Sequence, residues 1–180
     1  DVGRKSFDFN TVKEFAKNMA WYKMNNFHLH LSDNLIFLED YPTMQDAIDN
    51  AYAGFRLESE IPNLTSEDTY YTKEEFRSFI KDSRNMGVNI IPEFDMPAHA
   101  LAITRAFPNL MTKEAGGNHR YLIEELDIRK DGALDAAKSV WAQYFQGDDP
   151  VFDKDTTVHI GTDEFHGNGG NEYFRSFLIL

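Results

Sequence analysis

The chain has 180 residues, 42% of them hydrophobic, with 15 Phe, 8 Tyr and a formal net charge of −12. That size and composition fit one globular domain with its own core. The negative balance excludes nucleic acid or an anionic membrane as the natural partner, since both need a basic patch, and the absence of Cys excludes a disulfide framework or a thiolate metal site.

No apolar run is long enough to cross a bilayer, so no membrane insertion is expected. No signal peptide opens the chain, and Asp1 stands where an initiator Met would, so the sequence reads as processed or excised. A neutral, polyhydroxylated substrate suits the aromatics and carboxylates.

Thr11-Val-Lys-Glu14 has a capping-box pattern, and Val12, Phe15, Ala16 and Met19 recur at helical spacing, which predicts a helix over 11–24. The alternating "NFHLHLSD" predicts a strand over 27–32 that ends in Asp33. Residues 34–71, with Pro42, Gly54 and Pro62, read as a long connection holding a short helix near "TMQDAIDNAY". A loop of that length is usually functional. Thr72 to Glu75 forms a second capping box ahead of Phe76, Phe79 and Ile80, with Gly87 as the residue just past the helix end. "VNIIPEF" (88–94) predicts a buried parallel strand. "PAHALAITRAF" predicts a short helix, "EAGGNHR" a loop and "LDAAKSVWAQYFQ" an amphipathic helix. "TTVHIGTDE" predicts another strand and "NEYFRSFLIL" a last helix.

Alternating strands and helices imply right-handed crossovers and a parallel sheet. Polar residues close the predicted strands at Ser32-Asp33, Glu93-Phe94-Asp95 and Asp163-Glu164. Stacked polar strand ends are the pattern of an α/β (β/α)₈ barrel. A doubly wound sheet competes, but no glycine-rich phosphate turn follows a strand.

Asp163 and Glu164 directly follow an apolar run, Val158 to Gly161, expected to be a buried strand. Neighbours on a strand point to opposite faces, so both acids face one cavity only where the chain is leaving the sheet. Adjacent acids do not flank a glycosidic bond as a retaining pair does. They suit a substrate that supplies its own nucleophile, with one acid protonating the leaving oxygen and the other orienting a group on the sugar. His28 and His30 share a strand face and could bind zinc, as in amidohydrolase barrels, although a strand His is more often a hydrogen-bonded core residue. Glu93, Asp95 and His99 lie in "PEFDMPAHA", where Pro92 and Pro97 fix the path of the chain and favour a positioned His99 over a solvent-facing one. Arg4 follows Gly3 and alone would read as a solvated terminal residue.

Taken together, "DVGRKSF", "MAWYKMNNFHLHLSDN", "VNIIPEFDMPAHA" and "VHIGTDE" resemble, in order, the catalytic domain of glycoside hydrolase family 20, the β-N-acetylhexosaminidases and lacto-N-biosidases. The resemblance implies a (β/α)₈ barrel that releases terminal β-linked N-acetylhexosamine from glycans by a retaining, substrate-assisted mechanism. It implies Glu164 as general acid/base and Asp163 as the group that orients the 2-acetamido group. Arg4, with His30, would bind the sugar, and Asp33 with His99 would form a network that sets the charge of Glu164. No metal and no cofactor are implied, which demotes a zinc amidohydrolase using His28 and His30. A lacto-N-biosidase and a non-catalytic glycan-binding fragment remain alternatives.

The chain departs from the family at Ala98 and Thr162, where Gly is usual, and at Asn34, where many members have Asp. The insert "LIFLEDYPTMQDAIDNAYAGFRLESE" resembles large Gram-positive surface enzymes, which implies an extracellular or cell-surface location. Against the family pattern the chain covers roughly the first half of the barrel, the region of strands 1–4. Its expected partners are therefore the remaining half of the barrel or a second copy, through an apolar inner face carrying "VNIIPEF" and "VHIG".

Overall fold

The structure is a computed structural model that describes residues 1–112, 123–165 and 169–177. The predicted "EAGGNHR" loop lies outside the described residues.

The first helix, α1 (Phe9–Trp21), begins before Thr11. Asp8 is its cap, accepting from the amides of Asn10 and Thr11 at 3.0 and 3.1 Å. An earlier carboxylate thus supplies what Thr11 was expected to supply. Val12 and Ala16 are buried, but Phe15, expected in the core stripe, is 52% exposed. Trp21, Tyr22 and Met24 are exposed at the same end.

The predicted strand at 27–32 divides. Strand β1 (Asn26–His30) stops before β2 (Ser32–Leu35), and Asp33 lies within β2. Within the long connection, α2 (Met44–Asn50) is the expected short helix. The strand that follows it, β3 (Tyr52–Phe55), lies where the sequence reads as a loop, and it pairs antiparallel with β2, Asp33 facing Gly54. The segment folds back because Arg56, fully buried, reaches across it. Its guanidinium donates to the carbonyls of Val2 at 2.8 Å, Gly3 at 3.2 Å and Thr69 at 2.9 Å and to Asp68 at 2.6 Å.

Helix α3 (Lys73–Asn85) has the expected capping box between Thr72 and Glu75, and Gly87 follows it at φ 83°. Its stripe of Phe76, Phe79, Ile80 and Ser83 is buried. Strand β4 (Asn89–Glu93) pairs in parallel with β1, Phe27 beside Ile90 and His30 beside Glu93. The helix predicted from Pro97 starts later, as α4 (Leu101–Ala106), because residues 96–100 form the turn that presents His99. Two more helices, α5 (Ala133–Phe145) and α6 (Gly170–Phe177), complete the described chain.

Residues 156–164 do not form the predicted strand. A single parallel bridge joins His159 to Glu93, with the His159 amide donating to the Pro92 carbonyl at 2.9 Å. Val158 and Ile160 are only partly buried. Glu93 is the ladder partner they find among the described residues, and one bridge is too little to define a strand. On the other side of β1, the amides of Val2 and Gly3 both donate to the His30 carbonyl, at 3.0 and 3.1 Å. The N-terminal segment, β1, β4 and residues 158–161 therefore lie side by side.

This sheet is buried on one face. Leu29, Ile90 and Phe94 point into a core where the Phe94 ring lies 4.6 Å from Phe55 and 4.8 Å from Trp141. A large ring fully buried there stabilises by about 2–3 kcal/mol. The opposite face carries Asn26, His28, His30, Asn89, Ile91 and Glu93, by strand alternation. The inner face is thus largely polar. This corrects the expectation of an apolar one, because the apolar residues of "VNIIPEF" other than Ile91 alternate with the polar ones and turn toward the helices.

Candidate active site

The polar face gathers its charged groups at the C-terminal ends of β1 and β4. Asp33, 1% exposed, is the hub. Its Oδ2 lies 2.5 Å from His30 Nε2 and 2.8 Å from Arg4 Nη1. Its Oδ1 lies 3.2 Å from His99 Nδ1 and accepts the Asn34 amide at 2.7 Å. The other nitrogen of His99, Nε2, reaches Glu164 Oε2 at 3.0 Å. The other nitrogen of His30, Nδ1, reaches Glu93 Oε2 at 2.7 Å. Carboxylates and imidazoles thus alternate from Glu93 through His30, Asp33 and His99 to Glu164.

This alternation fixes charge. Burial works against an imidazolium at His30, but the bonds to Asp33 and Glu93 outweigh it and raise its pKa to about 9. His99 is raised to about 9 by its bond to Asp33, with burial opposing. Burial would raise Asp33 and Glu93, yet hydrogen bonds from the histidines bring each down to about 2. Asp95 behaves oppositely. It is buried, its Oδ1 has no hydrogen-bond partner, and burial reinforced by Glu93, Asp163 and Asp33 pushes its pKa up to about 7 against the pull of His30.

Several backbone contacts hold His99. The Met96 amide donates to the Gly161 carbonyl at 2.9 Å, and the Ala100 amide to the Glu124 carbonyl at 2.8 Å. The Leu101 amide donates to Asn34 Oδ1 at 3.1 Å, while Asn34 Nδ2 donates to the Glu124 carboxylate at 2.5 Å. An Asp at position 34 would set carboxylate against carboxylate there, so the amide suits this chain. His99 and Glu164 both adopt positive φ, 55° and 51°. Such non-glycine conformations cost about 1–3 kcal/mol each and cluster at functional sites. Gly161 is required on space alone, since a Cβ there would stand 1.5 Å from Asp95 Oδ1.

Five of the residues singled out in the sequence, Arg4, His30, Asp33, His99 and Glu164, come together here. Asp163 adjoins Glu164 and adds its charge to the field at Asp95, but has no hydrogen bond or ion pair among the described residues. The acid pair was expected straight after a buried strand; Glu164 has a side chain 66% exposed, and the preceding residues are only partly buried. The sequence offers Glu93 and Asp95 only as candidates, and it gives no signal for the parts played by Asn34, Glu124 and His159. Two carboxylates between Pro92 and Pro97 are the available signal for Glu93 and Asp95.

A parallel α/β sheet with acids and histidines massed at its C-terminal strand ends defines part of a (β/α)₈-barrel enzyme domain. Residues 1–174 match the catalytic domain of glycosyl hydrolase family 20, and the chain belongs to that family. It is 31% identical over 193 aligned positions to a Vibrio vulnificus beta-hexosaminidase, covering 100% of this chain and 20% of that protein. It superposes on Flavobacterium johnsoniae chitobiase with a TM-score of 0.66 and 27% identity, over 97% of this chain and 24% of the other. A mutant Streptomyces plicatus beta-hexosaminidase in complex with its product GlcNAc gives a TM-score of 0.64 at 23% identity, over 100% of this chain and 34% of that one. The chain spans 24%, 19% and 14% of the length of the beta-hexosaminidases of Akkermansia muciniphila, Vibrio furnissii and Porphyromonas gingivalis that it matches.

Proposed function

We propose that this chain supplies the acid-bearing half of a β-N-acetylhexosaminidase barrel, acting on terminal β-linked N-acetylhexosamine by a retaining, substrate-assisted route. Glu164 protonates the leaving oxygen and later activates water. Asp163 orients the 2-acetamido group, whose carbonyl attacks the anomeric carbon. His99, held by Asp33, positions the Glu164 carboxyl. Arg4 binds sugar hydroxyls. His30, whose ring nitrogens both meet carboxylates, acts through Asp33 rather than on the sugar.

The observation that carries this reading is His99 bridging buried Asp33 and exposed Glu164, at 3.2 and 3.0 Å, in a member of this family. The exposure of Glu164 and the apolar side chains uncovered on α1 support a chain that needs the rest of its barrel to enclose a sugar. Family membership sets aside the zinc amidohydrolase alternative.

The test uses aryl N-acetylglucosaminides of graded leaving-group acidity on protein carrying the complete barrel. Glu164→Gln is expected to lower kcat/KM about 10²–10⁴-fold with poor leaving groups and far less with activated ones. Asp163→Asn is expected to lose rate with both. Equal responses to leaving-group pKa in the two variants would refute the division of roles, and hydrolysis of substrates lacking the acetamido group would refute the mechanism. Release of a disaccharide from lacto-N-biosides would instead identify the lacto-N-biosidase variant.

A further inference from the structure

The polar face holds a second cluster, which begins where the acid–base chain stops. Glu93 Oε2 lies 3.0 Å from His28 Nε2, and Glu93 Oε1 lies 2.5 Å from His159 Nδ1. The two imidazole rings are 4.8 Å apart and tilted by 49°. One donor atom from each of the three residues falls within 4.8 Å of the others. The histidine side chains are 44% and 53% exposed, whereas Glu93 is 8% exposed.

We propose that His28, Glu93 and His159 form a binding site for one first-row divalent transition-metal ion of the zinc, cobalt or nickel class, separate from Asp163 and Glu164.

Two imidazoles and a carboxylate are the nitrogen and oxygen donors these ions select, and three such ligands leave a further position for water. Neighbouring backbone segments hold the donors in place. His28 lies two residues before His30, His30 is in register with Glu93, and Glu93 bridges to His159. The buried carboxylate forms a fixed floor between the two imidazoles.

The neighbouring groups are poorer sites. Both nitrogens of His30 are engaged, and the Arg4 guanidinium beside Asp33 repels a second cation.

The experiment titrates the 180-residue chain, freed of metal by chelator, with cobalt(II). It follows the visible ligand-field bands and measures bound metal by equilibrium dialysis. One saturable cobalt per chain is expected, displaced by zinc. Removing a ligand should weaken binding about 10–100-fold or more in His28→Ala and in His159→Ala, since loss of even an outer-shell partner costs that much. His99→Ala and Glu164→Gln should bind as the parent does. Both ligand histidines are substantially exposed, so the alanine chains should fold, and circular dichroism checks that they do. Absence of saturable uptake, or uptake that persists in the His28→Ala/His159→Ala double variant, would overturn the site.

Discussion

Asp33 and Glu164 sit at opposite ends of one imidazole, yet in opposite surroundings. The Asp33 side chain is 1% exposed and that of Glu164 66%. Asp33 meets Arg4, His30, His99 and a backbone amide, whereas His99 is the ion-pair partner of Glu164 among the described residues. The difference teaches where the chain invests its folding energy. The end that fixes charge is built into the core of the sheet, and the end that would meet substrate stays open and contributes little to stability.

The strongest way to break this comparison is to neutralise each acid and measure unfolding in urea. Asp33→Asn removes the anion shared by three cationic side chains and is expected to cost about 3–5 kcal/mol, the usual penalty for breaking a buried pair. Glu164→Gln, at an exposed position, is expected to change stability by no more than about 0.5 kcal/mol. Similar losses in the two variants would show that the ends are not energetically distinct.

A pH titration of stability in metal-free buffer sharpens the contrast. The pKa of His30 is raised from 6.5 to about 9, so its contribution is complete below 6.5 and is lost as pH rises through 9. Asp33 is lowered from 3.8 to about 2, so its contribution is complete above 3.8 and is lost as pH falls through 2. These are the same ion pairs seen from their two partners, so the layer should be most stable between about pH 4 and 6.5. From there to pH 9 the loss from His30 alone should be about 3 kcal/mol, and His99, also raised to about 9, should add to it. Glu164→Gln should retain this curve and Asp33→Asn should flatten its alkaline limb. An unchanged limb in Asp33→Asn would assign the pH dependence to other groups.

Two glycines near the acid pair give the smallest expected effect. Gly161 at φ 49° has Asp95 against the place a Cβ would take, whereas Gly169 at φ 89° has its nearest neighbour 4.0 Å away, at Ile128. Gly161→Ala should cost about 2–3 kcal/mol through overpacking as well as backbone strain. Gly169→Ala should cost about 1 kcal/mol, from its backbone conformation alone. Thermal unfolding of both variants checks this, and equal shifts would mean that Asp95 moves aside freely.

Local patterns already fixed much of the architecture. The capping box at Thr72 and the stripe of Phe76, Phe79 and Ile80 specify α3. The apolar positions of 133–145 specify α5. The order of the polar strand ends was enough to select a parallel α/β design and to single out Asp33, Glu93, Asp95 and the Asp163–Glu164 pair, because strand alternation and chain direction are local properties; Arg4, and the network joining Asp33 and His99 to Glu164, were implied only by the resemblance to the family.

Long-range contacts decided the rest. Sequence could not reveal that buried Arg56 would tie residues 2 and 3 to the connection, or that β3 would pair with β2, because those partners lie about fifty and twenty residues apart in the chain. Nor could it show which face of "VNIIPEF" meets the helices, since the adjacent Ile90 and Ile91 blur the alternation and nothing local says which face is covered. Periodicity placed His28 and His30 on one face. Only the register between β1 and β4 gave both nitrogens of His30 to carboxylates and turned His28 toward Glu93, where the bridge from residue 159 brings a second imidazole. A side chain's charge state depends on the atoms around it, and here those atoms come from segments that only the fold brings together.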